Sequence, residues 1–318
     1  MSTTLVIIQV LDGQVTDVSL QGLAKARALG GTVHALLAGS GVKPLAAGLV
    51  AAGADTVQVA DHPALAAYVT SPFARVAEEV VKAVAPALVL APATTFGNDL
   101  APVLAARLQA ACVLDGDDVK ADGGGFLVRR TEFDRKAATW MGAAGSRLLI
   151  ATLKDGAASP LAPEAGRSGA VVDVAVNLGA ADGKASVVKR DVARKSVNLK
   201  EARIIVAAGA GVGTKDNFTK IQDLAAALGA QIGATRAVVD AGWLPADHQI
   251  GQTGATVRPD LYIGCGVSGA VQHWVGMMDA RKIVAINSDK NAPLMKRAHY
   301  RIAGDLNVVI PKLIKLLK

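Results

Sequence analysis

The chain reads as α/β, organised as two doubly wound α/β domains in succession. Three observations point there. Short β-branched runs alternate with segments of helical period, the pattern of a parallel sheet covered on both faces. Hydrophobic residues make up 51% of the 318 residues and aromatics only 3%, a small-residue composition suited to close helix-on-sheet packing. Glycine-rich turns follow two of the strand-like runs and lead into helical segments, as in nucleotide-binding α/β domains.

The elements follow in order. Leu5 to Val10 predicts a buried strand, and Ser19 to Leu29 a helix stopped by Gly30-Gly31. Thr32 to Ala38 is the next strand, Leu45 to Ala52 a helix closed at Gly53, and Thr56 to Val59 a strand. Phe73 to Val84 is helical, Ala87 to Leu90 is strongly apolar, and Asn98 to Gln109 is again helical. The pattern then changes. Asp122-Gly123-Gly124-Gly125 separates two strand-like runs, 113–119 and 126–130, and predicts a hairpin. Residues 154–169 read as loop, with further strands expected over 171–176 and 185–189. The charged segment 190–201, with Arg194, Lys195 and Lys200, is the expected linker, and the domain boundary is placed near residue 195. The second domain restarts the alternation: strand Arg203 to Ala208, turn Gly209 to Gly213, helix face Ile221, Leu224, Ala225 and Leu228. Short strands follow at Gln231 to Ala234, Leu261 to Ile263, Lys282 to Asn287 and Tyr300 to Ala303, and a last helix carries Val308 to Leu317.

Charge and cysteine content exclude several classes. The net charge is +7, yet the basic residues are dispersed and no basic stripe interleaves with aromatics, which argues against nucleic acid. Cys112 and Cys265 belong to no metal-ligand pattern and read as buried reduced thiols. The start lacks a basic n-region, and no apolar run reaches the ~18 residues of a membrane span. A cytoplasmic protein without stable membrane insertion is expected.

The candidate site lies in the second domain. Gly264-Cys265-Gly266-Val267-Ser268-Gly269 has the spacing GxGxxG between a strand and a helical segment. Such a turn lets the backbone approach a pyrophosphate, with Ser268 able to cap the helix or bond a phosphate. Thr235, Arg236, Gln252, Thr253, Ser268, Gln272, His273, Asn287 and Asp305 fall just after predicted strands or in the loops there. Hydroxyls, amides and one imidazole suit holding a large polar ligand better than proton-transfer catalysis. His34, His62 and His299 read as structural, and no GxSxG or HExxH occurs.

The ordered string Gly233-Ala234-Thr235-Arg236, Val239 to Pro245, Ile250-Gly251-Gln252-Thr253-Gly254, Leu261-Tyr262-Ile263, Gly266 to His273, Ile283 to Asn287 and Gly304-Asp305-Leu306 resembles the electron transfer flavoprotein α subunit family. The resemblance implies a Rossmann-like FAD-binding C-terminal domain. It also implies an N-terminal domain that pairs with a β subunit carrying AMP or a second flavin. It implies an electron carrier rather than an enzyme, taking electrons from dehydrogenases, typically of acyl-CoA type, to a quinone reductase or other acceptor. It places Thr235 and Arg236 at the flavin region and Ile250, Gly251, Gln252 and Thr253 along it, with Thr253 on the N5 side. Ser268, Gly269, Ala270, Val271, Gln272 and His273 bind the diphosphate and pyrimidine side, His273 near the flavin O2, where a donor favours a negatively charged ring. Asn287, Asp305 and Leu306 hold the adenosine end.

One position departs from the family pattern. Ala210 stands where a flavin-facing arginine is expected, in Gly209-Ala210-Gly211. Its absence implies a less stabilised anionic flavin. Two other readings remain open on the residues alone. One is a nicotinamide-dependent oxidoreductase, with Asp289 about 20 residues beyond Gly269 bonding a ribose hydroxyl. The other is a non-redox nucleotide-binding subunit.

Overall fold

The computed structural model describes residues 2–133, 137–143, 148–190, 197–200 and 202–317. It divides into two compact units, Met1–Arg190 and Asp191–Lys318. Arg194 and Lys195 of the expected linker, and the boundary expected near 195, lie outside the described residues.

In the first unit, besides a short antiparallel pair Val10–Leu11 and Gln14–Val15, the strands are β1 (Thr3–Ile8), β2 (Thr32–Gly39), β3 (Thr56–Asp61), β4 (Leu88–Pro92), β5 (Ala111–Gly116), β6 (Asp118–Asp122), β7 (Gly125–Glu132), β8 (Ala137–Gly142), β9 (Leu149–Leu153) and β10 (Ala170–Asp173). Seven of them form one parallel sheet in the order β10-β3-β2-β1-β4-β9-β5. Its central strands are buried on both faces, which is why β1, β4 and β9 are continuous apolar runs rather than alternating ones. Helices α1 (Asp17–Leu29), α2 (Thr70–Val84) and α3 (Thr95–Leu108) cover it, α1 on one face, α2 and α3 on the other.

The hairpin expected around residues 122–125 is present, but within a three-stranded antiparallel sheet, β8-β7-β6. The run expected over 113–119 splits, because Asp115 and Gly116 end β5 in the parallel sheet before β6 begins. Residues 170–173 form the edge strand β10, whereas residues 185–189 form no strand: Val187 and Val188 are exposed and pair with nothing in a sheet.

The second unit contains β11 (Ile204–Ala208), β12 (Gln231–Ala234), β13 (Leu261–Cys265), β14 (Lys282–Asn287) and β15 (Tyr300–Ala303). All pair in parallel, in the order β12-β11-β13-β14-β15. Helices α4 (Lys215–Leu228) and α6 (Leu306–Leu317) pack Phe218, Ile221, Leu224, Leu306 and Ile310 on one face of this sheet. Thr214 caps α4 by accepting from the Asn217 amide, and Gly229 ends it at φ +60°. On the other face Tyr262, Ile283, Met277, Leu294 and Met295 build a second core. Strand order reverses between β11 and β13, so the carboxyl ends of these strands open a crevice where α/β sheets hold ligands.

Candidate functional site

A cleft of about 720 Å³ occupies that crevice. Four strand ends supply its walls: Ala210 and Gly211 after β11, Thr235 and Arg236 after β12, Gly266, Ser268, Ala270, Gln272 and His273 after β13, and Asn287 and Asp289 at the end of β14. The loop Gln249–Thr253 closes one side. Its register is held by backbone bonds from Ile250 N to Ala234 O (2.9 Å) and from Gln252 N to Gln272 O (2.7 Å). Gly251 is at φ +142°, and a Cβ there would lie 2.7 Å from Gln272 O, so only glycine lets the loop approach the following segment this closely.

Twelve of the expected site residues line the cleft: Ala210, Thr235, Arg236, Ile250, Gly251, Gln252, Thr253, Ser268, Ala270, Gln272, His273 and Asn287. Four do not. Gly269 packs against Leu294, Val271 is half exposed, and Leu306 lies in the helix–sheet core. The Asp305 carboxylate accepts from the Asn307 amide at the start of α6 (2.9 Å). The cleft also takes in Gly211, Ala237, Gln249, Gly266, Asp289 and Ala292, which the expected site does not include.

The glycine-rich turns are also required by packing within the protein. Gly209 N donates to Cys265 O (2.9 Å) and Gly211 N to Gly266 O (3.0 Å), so the two turns lie against each other. A Cβ on Gly209 would meet Gly266 O at 2.2 Å, and one on Gly266 would meet Gly211 C at 2.7 Å. Gly264 and Gly269 are likewise closed by Leu294. The glycines make room for protein, and of the GxGxxG set only Gly266 and Ser268 face the cleft. The helix that follows, α5 (Val271–Trp274), is a single turn entered from Ala270, so Ser268 does not cap it.

Two side chains stand out electrostatically. Thr235 opens the turn Arg236–Asp240, yet its hydroxyl makes no capping bond and, though buried, has no hydrogen-bond partner. Arg236 lines the same cleft as Ala210 and pairs with Asp240 at 3.2 Å, so the cleft has a guanidinium although Ala210 supplies none. Asn287 is partly committed, donating to Val267 O (3.1 Å) and accepting from Asp289 N (3.0 Å). It ties the turn after β13 to the turn after β14.

His273 is buried, and burial lowers its pKa to about 4. Its Nδ1 lies 2.9 Å from Ile250 O and its Nε2 2.6 Å from the Tyr262 hydroxyl. Both ring nitrogens are thus within hydrogen-bond distance of protein groups, and the ring lines the cleft wall. Burial also pushes the Cys265 thiol up to about 12, so it stays protonated. His248 binds Ile232 O (2.6 Å) and His299 accepts from Ile283 N (3.0 Å), both tying loops to strands.

Residues 4–178 match the family model described as electron transfer flavoprotein domain, and residues 198–278 the one described as electron transfer flavoprotein FAD-binding domain. The chain is 39% identical to the electron transfer flavoprotein subunit alpha of Thermoanaerobacterium thermosaccharolyticum, over 96% of this chain and 95% of that one. It is 37% identical to the subunit alpha of Bacillus subtilis, over 99% and 97%. It is 38% identical to the protein FixB of Clostridium saccharobutylicum, over 96% and 93%. Similarity of this extent across both units, together with a polar cleft at the switch point of the second sheet, assigns the chain to the electron transfer flavoprotein α-subunit family.

Proposed function

We propose that the cleft between β11 and β13 is where this α subunit holds FAD, and that Thr235 is a direct contact. The buried, unpartnered Thr235 hydroxyl carries this reading. An orphaned hydroxyl in a folded protein costs about 1–3 kcal/mol unless a ligand satisfies it. The surrounding donor set fits the group: the Ser268 and Thr253 hydroxyls, the Gln252 and Gln272 amides and the Arg236 guanidinium line one continuous cleft. When bound, FAD supplies reversible electron uptake at its isoalloxazine ring.

The chain's own residues bind and orient. Ile250 to Thr253 form a wall fixed by backbone bonds to Ala234 and Gln272, rigid enough to keep a planar ring in one pose. Arg236 supplies positive charge where negative charge develops on reduction, and Ser268 offers its hydroxyl to the diphosphate. Asp305 follows Gly304, whose N donates to Asn287 O, and although it does not line the cleft it is the expected contact for the adenosine end.

The β subunit is the expected partner, and the unit Met1–Arg190 is the expected base for pairing with it. Dehydrogenases of acyl-CoA type are the expected donors and a quinone reductase the expected acceptor, and whether the pair bifurcates electrons depends on a second flavin in the β subunit. Co-expression with the β subunit and an absorption spectrum tests the reading. Oxidised flavin bound by the wild type and weakened by Thr235→Val supports it. A colourless heterodimer, or one that binds a nicotinamide nucleotide instead, overturns it.

A further inference from the structure

The second sheet spaces the groups that line its cleft. Ala234, Ala208, Cys265 and Ile286 pair in one row across β12, β11, β13 and β14. The turns that follow these strands therefore step along the cleft at the strand spacing of about 4.8 Å. Arg236 opens the row after β12 and Asp289 closes it after β14, three spacings or about 14 Å away. Ser268 and Gly266 lie between them, after β13. Among the described residues that line the cleft, Asp289 is the only carboxylate.

Asp289 is held in place from both sides. Its backbone N donates to Asn287 Oδ1 (3.0 Å), and its own Oδ1 accepts from Asn291 N (2.8 Å), which leaves Oδ2 to a ligand. Asp305, the carboxylate expected at the adenosine end, lies outside the cleft and accepts from Asn307 N instead. A carboxylate only accepts hydrogen bonds, and phosphate oxygens and purine ring nitrogens accept as well, so it suits neither. A ribose offers two adjacent hydroxyls, both able to donate.

On the reading that the cleft holds FAD, we propose that Asp289 binds the 2′- and 3′-hydroxyls of its adenosine ribose and so sets the direction of the cofactor. The flavin ring lies at the Arg236 end, the diphosphate at the turn after β13, and the ribose one strand further on. The opposite direction would put the carboxylate beside the ring, where negative charge develops on reduction. Asp289 also carries the group that suits a nicotinamide nucleotide's ribose, so its presence does not by itself point to that cofactor.

The test titrates the flavin-free heterodimer with FAD and with the FAD analogue whose adenosine ribose lacks both hydroxyls. AMP is present at the same concentration throughout to occupy the partner subunit's site, and quenching of flavin fluorescence gives the affinities. Wild type is expected to bind FAD about tenfold more tightly than the analogue, the worth of a charge-assisted hydrogen bond. Asp289→Ala is expected to lose about tenfold in FAD affinity and to bind the two ligands within about twofold of each other. Asp289→Asn keeps a side-chain oxygen for the Asn291 amide and is expected to lose most of the preference while holding the turn. A distorted turn would weaken both ligands alike and leave the preference intact, and that result in either variant overturns the inference. A wild type that binds FAD and the analogue equally overturns it too, without touching the flavin reading. A wild type that takes up neither refutes the flavin reading and this contact with it.

Discussion

Replacing Thr235 by valine changes one buried oxygen for a methyl group of similar size and should move two quantities in opposite directions. In the flavin-free chain the hydroxyl is buried without a partner, so its removal relieves a desolvation cost. The flavin-free protein is expected to hold its stability or gain about 1 kcal/mol. Flavin binding loses one hydrogen bond, about 1 kcal/mol, or roughly a fivefold rise in Kd. Urea unfolding of the flavin-free heterodimer gives the first number, and quenching of FAD fluorescence on titration gives the second. A variant that is clearly less stable without flavin, yet binds FAD as wild type does, would refute the reasoning. The hydroxyl would then serve the fold rather than the ligand.

Three further outcomes follow from the same geometry. Gly266→Ala places a Cβ 2.7 Å from Gly211 C in a residue at φ +63°, and should cost about 2–4 kcal/mol in urea unfolding from backbone strain and overpacking; a loss under about 0.5 kcal/mol would mean the two glycine turns separate easily. His273 has an ordinary value of 6.5 unfolded and about 4 folded, so the unfolded chain binds the extra proton. Its contribution is complete above about pH 6.5 and is lost as pH falls through about 4, up to about 3 kcal/mol. His273→Gln should flatten that part of the stability–pH curve, and the difference between variant and wild type cancels His34, which burial also lowers. An unchanged curve would contradict a buried neutral ring. Ala210→Arg adds a second guanidinium to the cleft and should raise the one-electron potentials of the bound flavin in a potentiometric titration. Two unchanged potentials would show that position 210 does not face the ring.

Much of this site is written in short strings. Thr235-Arg236 and Ile250 to Thr253 are loop residues directly after strand ends, and a parallel sheet gathers such positions on one edge whatever the details of packing. The alternation predicts the parallel sheet, whereas the strand order and the switch point are seen only in the structure. What escaped was decided by contacts between distant segments. The spacing Gly264-Gly266-Gly269 suggests a phosphate turn, but those glycines are required by Gly211 and Leu294, neither of which is visible from the spacing itself. His273 taken alone reads as a satisfied, partly buried histidine, but the sequence does not show that its partners are Tyr262 and the Ile250 carbonyl. Leu306 reads as a ligand contact, yet its side chain completes the core beneath α6. In the first unit nothing in the local sequence marks β9. Its five buried residues carry no alternation and follow no clear turn signal, so its place between β4 and β5 is a tertiary fact.

The claim at the centre is that FAD sits between the turns after β11 and β13. Ala270 lines that cleft and is exposed, so Ala270→Trp puts an indole into the cleft without crowding the core. The decisive measurement is the flavin content of this variant, taken from its absorption spectrum after purification with the β subunit, beside wild type. The account predicts flavin in the wild type and a folded heterodimer depleted of this chain's FAD in the variant. Full wild-type flavin in Ala270→Trp would contradict it.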